Sequence, residues 1–377
     1  MVARILAAWC LVVAVLLAAN PARAGQMADF SDLTPEERAC LLEYLDQGQL
    51  DQLALGRPDS KSLRKKAKEA AASCLCPEAP APYDGPLFDA MAQLDGAMSE
   101  MRAYVDSARQ AGVQCMALFA RLIKGNMAME GRVLDLAGEY PDFLVLGAPK
   151  SFELRGDLTG SFVRDTLAGL DEHDYRFIGE VLYSHADKKG GEVTPKGERF
   201  VDPAREGTAE LLRGLAGKDV PLMTHWEVYE WERDWAAFDA LYSAWPDQIF
   251  ILPHMGFASV EQVREMLAAH PNLYMIISKK DDFPRFFMDQ AKLDRLGSPF
   301  LNSCGVLDPA WRAVLVDYQD RLLAATDAHS HSRWDDYAVH AASLRTVLGQ
   351  LPSDAARKIA YGNACRLYGV DPASLEQ

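Results

Sequence analysis

Three short apolar runs in this 377-residue chain each end in a side chain that can bind a metal ion. Their last residues are His225, His254 and Asp327. Apolar runs of this length, bounded by turn signals, are typical of buried strands. In a closed parallel barrel the carboxyl ends of the strands form one mouth, where active sites are built. We therefore expect these three side chains to converge at one site.

The elements that would position these residues follow a regular order. From Tyr83 onward, strand patterns alternate with helix patterns, such as those at 205–217, 258–269 and 335–349. The candidate strands are 87–91, 113–119, 143–147, 176–182, 220–225, 248–254, 272–278 and 321–326. Eight strands joined by helices, in a segment of this length, predict an α/β fold. Residues 86–377 are expected to form a (β/α)8 TIM barrel.

The first 24 residues have the composition of a signal peptide. Arg4 makes the N-terminal region positively charged, residues 5–19 are apolar, and residues 22–24 have the small-x-small pattern of a cleavage site. The apolar run is shorter than the roughly 20 residues that a membrane helix needs. We therefore expect cleavage before Gly25, no stable membrane anchor afterwards, and a mature protein that is periplasmic or secreted.

A small helical hairpin is predicted over residues 30–76. A capping box at 34–37 places Pro35 at the first helical position, and residues 56–59 restart a second helix. Such a module is too small to bury enough apolar core alone, so it needs a covalent link or a partner surface. A protein partner could bind there. The proline-rich residues 77–85 are expected to form a stiff linker.

The cysteines near this module offer the covalent link. Cys40 lies on the first predicted helix, and Cys74 and Cys76 follow the second. In an oxidising compartment Cys40 could pair with either of them. The Cys-x-Cys pair could instead bind a metal, but no second cysteine or histidine pair lies nearby in the sequence, which favours the disulfide.

The charge of the chain excludes some classes of partner. The formal net charge is −15, and 49% of the residues are hydrophobic, which is ordinary for a globular protein. Nucleic acids and anionic membrane surfaces attract basic surfaces, which so acidic a chain lacks. The expected partner is therefore a small-molecule substrate or ligand, and nucleic acid is not expected.

Six short segments, in their order and spacing, carry a family resemblance. They are Ile178-Gly179-Glu180-Val181, Thr224-His225, Leu252-Pro253-His254-Met255-Gly256-Phe257, Asp308-Pro309-Ala310-Trp311-Arg312, Ala325-Thr326-Asp327 and residues 361–368. From Pro86 to about Tyr368 the chain resembles the amidohydrolase-related family of the amidohydrolase superfamily. The resemblance implies a metal-dependent barrel enzyme, since the family contains hydrolases and some decarboxylases.

The resemblance also implies a role for each strand-end residue. His225 would be a metal ligand, and His254 a ligand or a proton-transferring histidine. Asp327 would bind metal and take a proton from the attacking water. Glu180, at the end of the fourth strand, matches a position that holds or bridges metal in related enzymes. The implied cofactor is a divalent cation, zinc in the first place, which lowers the pKa of a bound water to about 7.

The first strand departs from the family pattern. A His-x-His pair usually stands there, whereas this chain has Met91 and Gln93. A thioether is a soft ligand suited to Cu(I), and an amide oxygen is a weak ligand for zinc. Glu180, His225 and Asp327, with His254 as a further candidate, would still provide three ligands.

A second run of histidines follows the eighth predicted strand. Asp327, His329 and His331 form an Asp-x-His-x-His sequence that copies the motif missing from the first strand. In an extended segment both histidines would point to the same side, and the first strand is the neighbour of the eighth in a closed barrel. They could therefore be additional metal ligands. The alternative is an exposed loop that leads into the next helix.

Structural alternatives exist for the other site residues as well. His254 could be a buried histidine bonded to the backbone, Asp327 could cap the next helix, and Glu180 could pair with a lysine. Two functions thus remain open. The first is an exported amidohydrolase-like metal-dependent hydrolase with a remodelled metal site, acting on a C–N or C–O bond of a small molecule. The second is a catalytically inactive barrel that binds a ligand or a protein in the periplasm. The surviving strand-end residues favour the hydrolase.

Overall fold

The computed structural model of the protein describes residues 33, 35–55, 60–74, 81–95, 100–122, 128–151, 160–185, 199–278, 300–301 and 305–376. The chain divides into two compact units, residues 1–80 with 301–309, and residues 81–300 with 310–377. The predicted signal peptide, residues 1–24, lies outside the described residues. In the described part of the chain, no helix has the length and apolar character needed to cross a membrane.

The first unit contains three helices in its described part, α1 (Pro35–Tyr44), α2 (Gln47–Ala54) and α3 (Lys61–Cys74). The sequence analysis predicted two. The additional break arises at Asp46, whose side chain accepts a hydrogen bond from Gln49 N at 2.8 Å. Because the Gln49 side chain in turn accepts from Asp46 N, the pair forms a capping box that starts a new helix.

A leucine-rich core and one disulfide hold these helices together. The buried core is formed by Leu41, Leu45, Leu50, Leu53, Leu63, Ala67, Ala70 and Ala71. Cys40 on α1 is bonded to Cys74 on α3. The predicted disulfide is therefore present, with Cys74 rather than Cys76 as the partner. A disulfide stabilises so small a core mainly because it restricts the unfolded chain.

Eight parallel strands form the second unit: β1 (Phe88–Asp95), β2 (Cys115–Leu122), β3 (Leu144–Ala148), β4 (Phe177–Leu182), β5 (Leu222–His225), β6 (Phe250–Leu252), β7 (Leu273–Ile276) and β8 (Leu322–Leu323). Each strand pairs with the next one along the chain. The last returns to the first, since Ala90 N donates to Ala324 O at 2.9 Å and Asp327 N donates to Met91 O at 3.0 Å. The predicted (β/α)8 TIM barrel is thus confirmed.

Helices follow the strands along the chain, as the fold requires. They are α4 (Met101–Gln110), α5 (Ala128–Glu139), α6 (Gly160–Glu172), α7 (Glu206–Leu215), α8 (Trp231–Ala244), α9 (Val260–Ala269), α10 (Pro309–Asp317), α11 (His331–Asp335), α12 (Tyr337–Leu348), α13 (Ser353–Arg357) and α14 (Asn363–Tyr368). All eight residues of β1 are buried. Parallel barrel strands are covered on both faces, so they consist mainly of apolar residues.

A buried carboxylate joins β1 to the segment that follows β8. Asp89 is fully buried and accepts hydrogen bonds from Thr326 N at 3.0 Å and from the Tyr337 hydroxyl at 2.7 Å. The Thr326 hydroxyl also donates to it. Burial raises the pKa of Asp89, and these hydrogen bonds oppose the rise. The network joins the backbone just before Met91 to the backbone just before Asp327.

Removal of one donor from this network is expected to destabilise the barrel. Tyr337→Phe deletes the hydroxyl that donates to Asp89 in a fully buried site, and it should lower the free energy of unfolding by about 1–3 kcal/mol. Urea denaturation followed by tryptophan fluorescence measures the change. Tyr318→Phe is the control, because this partly exposed tyrosine should change stability by less than about 0.5 kcal/mol. Equal losses in the two variants would contradict the expectation.

Candidate metal centre

The predicted site residues lie at the carboxyl end of the barrel. Glu180 is on β4 and His225 is the last residue of β5, and the register pairs Leu182 with His225. His254 follows β6, and Asp327 follows β8. All four side chains belong to buried residues. Burial of so many polar groups at one end of a barrel is typical of an active site.

The backbone is strained at two of these positions. His254 has φ 58° and Asp327 has φ 48°, both in the left-handed region that non-glycine residues seldom adopt. His254 begins a run of positive φ values that continues through Phe257, within the short 3-10 turn Pro253–Phe257. Only Gly256 in this run is a residue that adopts such angles readily. Strain of this kind concentrates at functional sites.

Three side chains form a compact cluster of donor atoms. His225 Nδ1 contacts Glu180 Oε1, and His254 Nε2 lies 3.6 Å from the same oxygen. One donor atom from each of the three residues lies within 4.8 Å of the other two. Two imidazoles and one carboxylate are among the ligand sets that hold catalytic zinc. The chemistry of this donor set therefore fits a divalent cation.

The second nitrogen of each imidazole has its own partner outside the cluster. His225 Nε2 lies 3.2 Å from Glu227 Oε1, and His254 Nδ1 lies 2.8 Å from Ser278 Oγ. A histidine that binds metal through one nitrogen is usually held through the other by a carboxylate, a carbonyl or a water. The two contacts orient the rings so that His225 Nδ1 and His254 Nε2 both face Glu180.

The electrostatics around His225 favour a positive charge. Burial lowers its pKa, but the carboxylates of Glu180 and Glu227 raise it by more, so the pKa lies above its ordinary value. Glu227 is fully buried, and Glu180 is nearly so. A buried imidazole between two carboxylates can satisfy them with a proton, and a cation bound at Nδ1 would do so equally.

Asp327 lies beside this cluster. Its Oδ2 atom is 3.6 Å from His254 Nε2, and its Oδ1 atom accepts a hydrogen bond from Gln93 Nε2 at 2.8 Å. It does not cap the next helix, because the N-cap residue of α11 is Ser330. The structure thus brings all four predicted strand-end residues together, with Glu180, His225 and His254 as the central set and Asp327 next to His254.

Part of the barrel matches a known family. The family model described as Amidohydrolase matches residues 186–370, a stretch that contains His225, His254 and Asp327. The matched stretch begins after β4, so Glu180, Met91 and Gln93 lie outside it. No curated protein is significantly similar to the sequence.

Solved structures resemble the chain in fold. The probable 2-pyrone-4,6-dicarboxylic acid hydrolase of Acinetobacter baumannii, solved with citric acid bound, is 11% identical, with a TM-score of 0.48, over 75% of this chain and 99% of its own. Organophosphorus hydrolase from Deinococcus radiodurans is 15% identical, with a TM-score of 0.43, over 76% of this chain and 92% of its own. 2,6-Dihydroxybenzoate decarboxylase in complex with 2,6-dihydroxybenzoate is 14% identical, with a TM-score of 0.43, over 72% of this chain and 88% of its own.

Met91 and Gln93, which the sequence analysis predicted to replace a pair of histidines, are both buried on β1. Met91 is fully buried, and Gln93 is 2% exposed. Gln93 Nε2 lies 2.8 Å from Asp327 Oδ1 and 3.3 Å from Glu180 Oε2. The replacement therefore puts a pair of hydrogen-bond donors, rather than a metal ligand, against the two carboxylates.

The two histidines after β8 do not join the central set. His329 Nδ1 lies 2.9 Å from the Asp327 carbonyl oxygen and 3.5 Å from Asp327 Oδ2. His331 Nδ1 bonds instead to the Tyr104 hydroxyl at 2.8 Å. The hypothesis that both are ligands required an extended segment, and that condition fails because α11 begins at His331. The imidazole of His331 thus has a separate partner on α4.

Two residues near the site were missed in the sequence analysis. Ser278 is the last residue of the seventh predicted strand, 272–278, and this strand-end position was the signal for its contact with His254. Arg121 lies near the end of β2, where its guanidinium donates to the His329 carbonyl oxygen and is 3.6 Å from Asp95 Oδ2. Burial lowers the pKa of Arg121, and the charges of nearby carboxylates oppose this. Its signal was an arginine in an apolar stretch directly beyond the second predicted strand, 113–119.

Proposed function

We propose that this protein is an exported, divalent-metal-dependent hydrolase of the amidohydrolase type, which acts on a C–N or C–O bond of a small molecule. The observation that carries the proposal is the cluster of Glu180, His225 and His254, whose donor atoms lie within 4.8 Å of one another. It stands at the carboxyl end of a TIM barrel, where enzymes of this fold place their chemistry. Zinc is the cation we expect, because it accepts two imidazoles and a carboxylate and retains an open position.

The charge of the site supports a cation. Glu180, Glu227 and Asp327 are all buried at one end of the barrel. A buried carboxylate is stable only when positive charge or several hydrogen-bond donors compensate for the lost water. Arg121 and the His225 imidazole provide part of this compensation. A divalent cation among Glu180, His225 and His254 would complete it.

The chain's own residues then have distinct tasks. Glu180, His225 and His254 would hold the cation through Oε1, Nδ1 and Nε2. A bound divalent cation supplies Lewis acidity, which makes a water nucleophilic near neutral pH. Asp327 would take the proton of that water at Oδ2, the oxygen that faces His254. The substrate would enter from the mouth of the barrel, above these strand ends.

Export is supported by two independent features. The first 24 residues have the pattern of a signal peptide. Cys40 and Cys74 form a disulfide, a bond that persists in oxidising compartments such as the periplasm. A periplasmic or secreted location follows from them as part of the proposal. We also propose that the N-terminal helical module is where a protein partner would bind.

A second candidate function is a barrel that binds a ligand without catalysis. The observation that favours it is the loss of both first-strand histidines to Met91 and Gln93. A site with fewer nitrogen donors binds zinc less tightly, and a weak site could be empty in the cell. In that case the buried carboxylates and imidazoles would recognise a polar small molecule directly.

The metal content of the purified protein tests the proposal. The full chain would be expressed with its own N-terminal segment and purified without chelators, and its bound transition metals measured by mass spectrometry. We expect about one ion per chain, and hydrolysis of at least one member of a panel of esters, lactones and amides. A chelator should remove the activity and added zinc should restore it. The intact mass should correspond to cleavage before Gly25.

The opposite results would favour the second candidate. These are a protein without metal, with thermal stability unchanged by zinc, manganese or copper, and without activity on the panel. An uncleaved chain would separately contradict export.

A further inference from the structure

The amide of Gln93 bridges two carboxylates. Its nitrogen lies 2.8 Å from Asp327 Oδ1 and 3.3 Å from Glu180 Oε2. A primary amide carries two N–H donors, so each carboxylate can receive one. Hydrogen bonds to ionised acceptors are stronger than those between neutral groups, and the low dielectric of a buried site increases the difference. We call this bridge the Gln93 clamp.

The two carboxylates determine the orientation of the amide. Gln93 Oε1 is buried, and it has no hydrogen-bond partner in the described part of the chain. A buried acceptor without a partner is unfavourable. The reversed amide would be worse, because its oxygen would face two carboxylates. The carboxylates of Glu180 and Asp327 thus hold the amide with its N–H groups toward them.

The Gln93 clamp also determines which oxygens of Glu180 and Asp327 face the histidines. It occupies Oε2 of Glu180 and Oδ1 of Asp327. The two other oxygens, Glu180 Oε1 and Asp327 Oδ2, each lie 3.6 Å from His254 Nε2. Glu180 Oε1 additionally contacts His225 Nδ1. Each carboxylate therefore presents one oxygen to the centre of the site and gives the other to Gln93.

Both backbone polar groups of Gln93 form hydrogen bonds. Its N–H donates to Ala328 O at 2.7 Å, and its carbonyl accepts from Trp334 Nε1 at 3.1 Å. Ala328 directly follows Asp327, and Trp334 lies on α11, the next helix. The clamp and Asp327 are therefore held in a fixed relation, and a small shift of one moves the other.

We propose that Gln93 is a positioning residue that restricts the site to a single divalent cation and keeps Asp327 as a proton acceptor. This inference rests on the proposed function. Two carboxylates side by side would otherwise attract a second cation, since carboxylate oxygens are good ligands for divalent ions. The Gln93 clamp satisfies them with neutral donors in the same place. Asp327 is then oriented toward His254 without coordinating metal.

Substitution of the amide tests this directly. Gln93→Met removes the donor pair at similar size without adding charge, and Gln93→Glu replaces the pair by a third carboxylate of the same length. Bound Mn²⁺ per chain would be measured by equilibrium dialysis at saturating Mn²⁺, with circular dichroism to verify folding. We expect one ion in the wild type and two in each variant, because both variants remove the donors that occupy Glu180 Oε2 and Asp327 Oδ1.

Each result separates the inference from the function on which it rests. A wild type that binds no cation overturns the proposed function and this inference with it. One ion in the wild type and in either variant, or two in the wild type, overturns the inference alone.

If Gln93→Glu does not fold even with Mn²⁺ present, Gln93→Met decides. On the best substrate of the panel, a positioning role predicts a fall in kcat of at least about tenfold with KM unchanged, because the clamp acts on the reacting groups. An unchanged kcat overturns the inference.

Discussion

Asp327→Asn is expected to abolish hydrolysis while the bound metal is retained. The substitution keeps the size and the backbone of the side chain, but it removes the oxygen that would take a proton beside His254. A positioned general base contributes about 10²–10⁴-fold to the rate, so kcat should fall by that factor. KM should change little, because the lost interaction acts in the transition state.

The geometry explains why metal should remain. Glu180, His225 and His254 each place one donor atom within 4.8 Å of the other two, and Asp327 is not part of this group. Its nearest contact to this set is the 3.6 Å separation from His254 Nε2. The amide that the substitution introduces could still accept from Gln93 Nε2 through its oxygen, so Gln93 would retain that hydrogen-bond partner.

Asp95→Asn is the matched control. Asp95 is a buried carboxylate at the end of β1, on the same face of the barrel, and it contacts Arg121 rather than the histidines. Its substitution should change kcat by less than about tenfold. Steady-state kinetics and metal analysis on the three proteins provide the comparison. Loss of metal in Asp327→Asn would make Asp327 a ligand, and full activity would remove it from the mechanism.

The order of strands could be read from the sequence because each has a simple physical signature. Short apolar runs bounded by turn signals predicted all eight, and the polar residues at their ends predicted the side of the barrel on which a site would lie. The ends of the strands were less accurate. The segment 321–326 was predicted as a strand, whereas β8 covers only Leu322–Leu323, although the hydrogen bonds of Ala324 and Asp327 to β1 continue the pairing.

The conformations of the site residues were beyond local sequence patterns. His254 was predicted at the end of a strand, but it begins a turn with positive φ values. Such values are unfavourable for histidine, so no local preference indicates them, and only the packing of the whole barrel can maintain them. The extra helix in the first unit has a local signal, the capping box of Asp46 and Gln49, that was present in the sequence and was overlooked.

The role of Gln93 shows a different limit. In the sequence it is a missing histidine, and the natural interpretation is the loss of a ligand. In the structure it is a donor between Glu180 and Asp327, residues 87 and 234 positions away in the chain. Their proximity depends on the closure of the barrel, which no pattern within β1 expresses. A residue that replaces an expected metal ligand can thus have a different role in the same site.

His225→Ala is expected to remove metal binding. The substitution deletes Nδ1, the donor that contacts Glu180, and Nε2, which Glu227 orients. Loss of a group that only orients a ligand already lowers metal affinity by about 10- to 100-fold, so loss of the ligand itself should lower it by at least about 100-fold. Two buried carboxylates would also lose the imidazole between them, and this leaves their charge uncompensated.

A second buried histidine separates metal binding from general destabilisation. His270 is 4% exposed and pairs with Asp239 through Nε2 at 2.9 Å, outside the cluster. His270→Ala should lower stability and leave the metal affinity unchanged. Competition with a chromophoric chelator gives the zinc affinity of the wild type and both variants, and thermal unfolding gives their stability. Equal loss of affinity in the two variants would mean that the barrel's integrity, not the His225 nitrogen, governs binding. A loss confined to His225→Ala would establish His225 as a ligand in a site that works without first-strand histidines.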